Sequence, residues 1–301
     1  MAHGHGTVTG RHRGRLTVVL AVTLAVLAAE VAGGLITGSL ALLADAGHLA
    51  ADAAGIGLSL FAAYVAARPA TNSRTFGYAR AEILAATVNA LLLFGVGGFI
   101  VAEAVLRLIS PPAVAPRLMV VFGLIALAGN GVSLLLLRRD AADSLNMRGA
   151  LLEVGSDALG AALVIVAGVV ITLTGFTRAD PIASLAVGAL ILPRTWGLLR
   201  EALNVLLEGS PRGVDTTEVR RHLNEVDGVI DVHDLHAWTI TSGHPVLSAH
   251  VVVDATVLDE GRSPVILDRL QECLRGHFDV QHSTFQLEPA GHADHEPSAC
   301  D

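Results

Sequence analysis

Two short runs of the chain carry ionisable side chains amid almost wholly apolar sequence: Asp45-Ala-Gly-His48-Leu-Ala-Ala-Asp52 and Glu153-Val-Gly-Ser-Asp157. His48 and Asp52 are four residues apart, and so are Glu153 and Asp157. That separation puts both side chains of a pair on one face of a helix. Two such helices facing each other offer four ligands, His48, Asp52, Glu153 and Asp157, an N/O set that suits a tetrahedral zinc-class ion. Three carboxylates in an apolar medium are tolerable only with a cation or protons present. The pattern therefore points to a cation site whose occupancy alternates with protonation. Asp45 is an accessory position with a structural reading beside it. Glu30 and Glu103 stand singly and suit helix-to-helix contacts, Glu103 by pairing with Arg107 one turn on. Asn89 and Asn130 read as interhelical hydrogen bonds.

The elements that must hold these residues are membrane spans. The chain is 52% hydrophobic and 16% charged, with a mean hydropathy of +0.58, where a soluble domain carries about 25% charged residues. Stretches of roughly 20 apolar residues can cross a bilayer. They fall at 15–37, 40–66, 83–108, 117–138, 148–175 and 181–204. Arg194 and Arg200, in the last of them, are read as snorkelling to the nearer water interface. The basic start at Arg11, Arg13 and Arg15 resembles a signal peptide, but the apolar stretch is too long and more spans follow.

Orientation follows from arginine placement. A cytoplasmic N-terminus puts Arg11, Arg13, Arg15, Arg68, Arg74, Arg80, Arg138, Arg139 and Arg148 inside, against Arg107, Arg117 and Arg178 outside. Both termini are then cytoplasmic, in what reads as a bacterial plasma membrane. Four parts result: an N-terminal segment 1–14, a six-helix transmembrane domain 15–205, a cytoplasmic α+β domain 206–289 and a disordered tail 290–301.

In the third part, Val214–Val226 and Pro264–His277 read as helices. Val229–Thr241, Val246–Asp254 and Ser283–Glu288 read as strands, and Ser242-Gly243-His244-Pro245 turns a hairpin. Helix, two strands, helix, strand is a ferredoxin-like order. His233 and His236 are three apart on a strand and so point to opposite faces. Side-by-side strands can bring His233, His250 and His282 together.

Several classes are excluded. A net charge of −8 argues against nucleic acid. The chain has no lysine, hence no Gly-x-x-x-x-Gly-Lys phosphate loop. It has no His-Glu-x-x-His run of a metalloprotease and no Cys-x-x-Cys pair. An enzyme is not expected, nor an organic cofactor.

Gly38-Ser-Leu-Ala-Leu-Leu-Ala-Asp-Ala-Gly-His48-Leu-Ala-Ala-Asp52 resembles the second span of the cation diffusion facilitator family. Arg74-Thr-Phe-Gly-Tyr-Ala-Arg-Ala-Glu, Asn146 through Gly160, Asp180-Pro181 and His233-Asp-Leu-His-Ala-Trp238 match in the same order, so the resemblance covers about 15–289. It implies a proton-coupled exporter of divalent metals, a homodimer, and a cytoplasmic ferredoxin-like domain able to hold regulatory zinc. His233, His250 and His282 match metal-binding positions of that domain, with Glu288 beside them. Many zinc members carry His where this chain has Glu153, and its oxygen-rich set suits harder ions somewhat better. Zinc is the expected cargo. Cadmium, cobalt, manganese or iron is the alternative, and a membrane-anchored metal sensor is a third reading. The loop 67–82 has no His, and the 139–147 loop lacks a His-rich run.

Overall fold

The computed structural model describes residues 8–138, 145–280 and 282–292. His3 and His5, most of the 139–147 loop, and His295 and Cys300 of the tail lie outside them. Six long helices come first: α1 (Val8–Thr37), α2 (Leu40–Ala66), α3 (Ala81–Ile109), α4 (Pro116–Leu137), α5 (Leu145–Thr174) and α6 (Ala179–Leu206). All six are long and apolar enough to cross a membrane. α1 begins at Val8, well before the apolar run that starts at Leu16. Hydropathy marks the lipid-facing stretch, whereas the backbone ladder continues through the arginine-rich turns ahead of it.

By internal packing the chain divides into two units, Met1–Gly57 with Val88–Gly197, and Leu58–Thr87 with Leu198–Asp301. In the first, α4 packs closely on α5 and α1, and α2 contributes to three buried clusters. Ala41 and Leu42 pack with Met119 of α4, Val164 of α5 and Ala183 of α6. Leu49 meets Val26 of α1, Ala126 of α4 and Ala161 of α5. Ala44 meets Ile100 of α3 and Val187 of α6. Leu60, Phe61, Leu106 and Leu173 are among many large apolar side chains left exposed, as lipid-facing surfaces require.

The chain turns from α1 to α2 at Gly38, whose φ of 71° is left-handed and suits glycine. The first turn of α2 is then capped from a distance. Asp180, on the first turn of α6, accepts from Ser39 Oγ at 2.5 Å, Leu40 N at 2.9 Å and Ala41 N at 3.2 Å. The carboxylate satisfies amide donors that a helix start leaves unpaired, and its charge complements the helix dipole.

The second unit holds a small α+β domain: α7 (Thr216–Asn224), β1 (Val229–Thr239), β2 (Pro245–Val253), α8 (Ala255–Asp259), α9 (Ser263–Phe278) and β3 (His282–Pro289). Asp215 caps α7 by accepting from Thr217 N. The sheet order is β1-β2-β3, with β1 antiparallel and β3 parallel to β2. Val232, Leu247, Ala249 and Val251 line a core with Val219 and Leu223 of α7 and Ile266, Leu270 and Leu274 of α9. The one-turn helix α8 goes beyond the sequence reading. Its start is fixed by Asp254, whose side chain accepts from Thr256 N.

Candidate functional site

α2 and α5 supply the membrane constellation. His48 Nε2 lies 3.4 Å from Asp52 Oδ2 and 3.8 Å from Asp157 Oδ1. One ligand atom each from His48, Asp52 and Glu153 falls within 4.8 Å of the others. A tetrahedral ion with bonds of 2.0–2.2 Å holds its donors about 3.4 Å apart, so small rotations suffice. Among the described residues, His48 Nδ1, Asp52 Oδ2 and Asp157 Oδ1 are buried with no hydrogen-bond partner. Each such group costs about 1–3 kcal/mol unless something satisfies it, and a bound cation would do so for the carboxylates.

Glu153 has a further partner. Arg194 Nη2 of α6 donates to Glu153 Oε2 at 2.7 Å. The guanidinium, which the sequence reads as snorkelling to water, also ties α6 to Glu153, and it offsets part of the negative charge there. Pro193, immediately before it, lies inside α6. A proline there lacks the amide that would bond to the Ala189 carbonyl.

Glu30 of α1 and Asp45 of α2 make the kind of helix-to-helix contact that the sequence suggests for Glu30. Glu30 is fully buried and Asp45 is 2% exposed. Their carboxyls face one another, yet neither Glu30 oxygen has a partner with hydrogen-bond geometry. Asp45 packs on Gly160 of α5, where an added Cβ would come within 2.8 Å of Asp45 Oδ1. Glu103 pairs with Arg107 at 2.9 Å, and Arg107 also donates to the Gly38 carbonyl at 2.7 Å.

A second cluster sits on the sheet face opposite the core. His233 of β1 is in register with His250 of β2. His250 Nδ1 lies 2.8 Å from Glu288 Oε1, and His233 Nε2 lies 3.3 Å from Glu288 Oε2. Donor atoms of the three are within 4.8 Å of one another. Glu288 is 1% exposed. The expected third histidine is elsewhere. His282 opposes Val246, whereas His250 opposes Gln286. Four residues of strand, about 13 Å, therefore separate His282 from the cluster, and its ring packs against Phe76.

A bulge between His233 and His236 also breaks the simple alternation. Asp234 adopts a φ of 48° there, a left-handed conformation that Asp tolerates better than most residues. Its carboxylate lies 3.0 Å from His236 Nε2 and 3.8 Å from His250 Nε2. Asp234 did not stand out in sequence, because its role is defined by a local irregularity, and the partner of Glu30 lies on another helix.

A family model of the cation efflux transmembrane domain matches residues 16–207, and one of the cation efflux protein cytoplasmic domain matches residues 211–290. The chain belongs to the cation diffusion facilitator family. Within that family it is 44% identical over 288 residues to the metal cation efflux system protein CzcD of Cupriavidus metallidurans, across 96% of this chain and 90% of that one. It is 37% identical over 295 residues to the zinc transporter ZitB of Escherichia coli, across 96% and 93% of the two chains. The cadmium, cobalt and zinc/H(+)-K(+) antiporter of Bacillus velezensis is 37% identical over 295 residues, across 97% and 93%. A solved metal-bound C-terminal domain of the CzcD transporter is 40% identical, with a TM-score of 0.23, over 25% of this chain and 99% of that one. This cation diffusion facilitator is an integral membrane protein of the cation efflux class, six apolar helices followed by a small α+β domain.

Proposed function

We propose that the protein exports divalent transition-metal ions, zinc foremost, in exchange for protons, through a site made of His48, Asp52, Glu153 and Asp157. The observation that carries this is the buried, partly unsatisfied donor set shared by α2 and α5 within apolar spans. The names of relatives support the cargo class: ZitB is called a zinc transporter, and the Bacillus relative is called an antiporter of cadmium, cobalt and zinc.

The ion enters from the cytoplasm with His48 neutral and the carboxylates ionised, because ligands bind metal in their deprotonated forms. Imidazole nitrogen and carboxylate oxygen replace the ion's water. Rearrangement of the helices exposes the site outward, where protons compete for His48 and the acids. Proton uptake neutralises the emptied site, which lowers the cost of returning it through lipid. His48 is the natural proton carrier, since imidazole is the side chain that titrates nearest neutrality. Glu153, already shared with Arg194, is the weakest of the four donors.

Arginine placement supports cytoplasmic termini in a bacterial plasma membrane. The working unit is a homodimer, with 15–205 as the transport domain and 206–289 as the cytoplasmic domain. His233, His250 and Glu288 would hold a regulatory zinc, for which two imidazoles and a buried carboxylate are a fitting donor set. The carboxylate-rich transport site also favours manganese or iron(II) as secondary cargo.

The test is metal-resolved flux in sealed proteoliposomes with and without an imposed pH gradient. Zinc movement that speeds up with an opposing proton gradient is expected. Flux indifferent to the gradient would remove proton exchange, and no flux of any divalent ion would remove the transport reading.

A further inference from the structure

Three soft or borderline donors lie near one another on the helical side of the α+β domain. That side is the opposite one from His233, His250 and Glu288, because Val232 points into the helix-covered core and strand side chains alternate. Cys273 and His277 are four residues apart on α9, on one face of the helix. Cys273 Sγ lies 3.9 Å from His277 Nδ1. His222 of α7 stacks on His277, with ring centroids 5.0 Å apart at 29°. Phe278 meets the His222 ring edge-on at 5.3 Å and limits where that ring can go.

We propose that Cys273, His277 and His222 form an accessory binding site for a single soft or borderline metal ion, distinct from both clusters described above.

The Cys273–His277 separation fits such an ion, and His222, stacked on His277, must turn to complete the set. A tetrahedral centre with a metal–sulfur bond of about 2.3 Å and a metal–nitrogen bond of about 2.1 Å sets S and N about 3.6 Å apart. The observed 3.9 Å needs only a few tenths of an ångström of adjustment. His277 Nδ1 also approaches its own helix at the Cys273 carbonyl, 3.2 Å away; a carbonyl only accepts, so Nδ1 carries the proton while the site is empty, and metal binding there shifts that proton to Nε2. His222 Nδ1 faces the Glu218 carbonyl at 2.9 Å. A carbonyl only accepts, so Nδ1 carries the proton and Nε2 keeps the lone pair, the arrangement common in histidines that ligate metal. Nε2 now lies 3.4 Å from Arg221 Nη2, and the proposed site requires the half-buried His222 ring to turn Nε2 from there toward Sγ. Burial and the nearby Glu225 carboxylate push the Cys273 thiol up. Binding therefore releases a proton, while the same carboxylate favours an incoming cation. Sulfur and two imidazoles select zinc, cadmium or cobalt over manganese or magnesium.

The test uses the purified full-length chain with Cys300→Ser, so that Cys273 is its one thiol. Cobalt(II) is titrated in, and the thiolate-to-cobalt charge-transfer absorbance is followed, a band the His233, His250 and Glu288 cluster cannot produce. A saturable band at one cobalt per chain is expected, weakened at least about tenfold in affinity by His222→Ala or His277→Ala. His222→Cys should retain the affinity and strengthen the band, which separates ligation from any effect on folding. Absence of the band, or unchanged affinity in either alanine variant, overturns the proposal.

Discussion

At Asp157 a side chain 5% exposed holds a buried oxygen without a hydrogen-bond partner, 3.8 Å from His48 Nε2. Asp157→Asn keeps the shape but removes the charge, so zinc flux in proteoliposomes should fall to the level of empty vesicles while membrane insertion is unchanged. Glu153→His is a subtler change. It adds a softer ligand and leaves Arg194 without its carboxylate. The zinc-to-manganese flux ratio should rise by about tenfold, by ligand softness, with transport retained. An unchanged ratio in competitive flux would mean that Glu153 serves Arg194 alone. The two i,i+4 pairs were legible in sequence because both members of a pair sit on one helix, where spacing alone fixes their direction. The partnerships of Glu153 with Arg194 and of Glu30 with Asp45 were not, since each joins two helices and depends on packing that no local pattern encodes.

Among the elements, α2 owes its start to another helix. Asp180→Asn keeps a capping oxygen but loses charge-assisted bonds to Ser39, Leu40 and Ala41. A loss of about 1.5–3 kcal/mol is expected, read as a lower melting temperature in detergent, and an unshifted melt would refute the cap. The spans were readable from hydropathy to within a few residues, apart from the early start of α1, because twenty apolar residues admit few alternatives. The strands were readable too, from β-branched runs and the Gly243 turn. Their register was not. His282 was expected beside His250, but the parallel pairing of β3 puts Gln286 there and brings Glu288 to the cluster. A strand pattern repeats every two residues, so it fixes which face a side chain takes but not which neighbour it meets.

For the whole molecule, deleting residues 290–301 should leave flux nearly unchanged, since that stretch carries no apolar anchor. A large loss in the same vesicle assay would assign the terminal histidines a part in loading. The Asp180 cap has a consequence for movement. With its first turn held to α6, α2 would act in the proposed transport cycle as a lever with a fixed fulcrum at one end. His48 lies about 12 Å along the helix from Leu40, and Asp52 about 18 Å, at 1.5 Å per residue. A tilt of only about 10° about the fulcrum then displaces His48 by about 2 Å and Asp52 by about 3 Å. Tetrahedral donors sit about 3.4 Å apart, so this small swing would be enough to dismantle the proposed coordination shell. In the proposed transport cycle the ion would then be released without unwinding any helix, by a rotation that leaves the Asp180-capped end of α2 where it was.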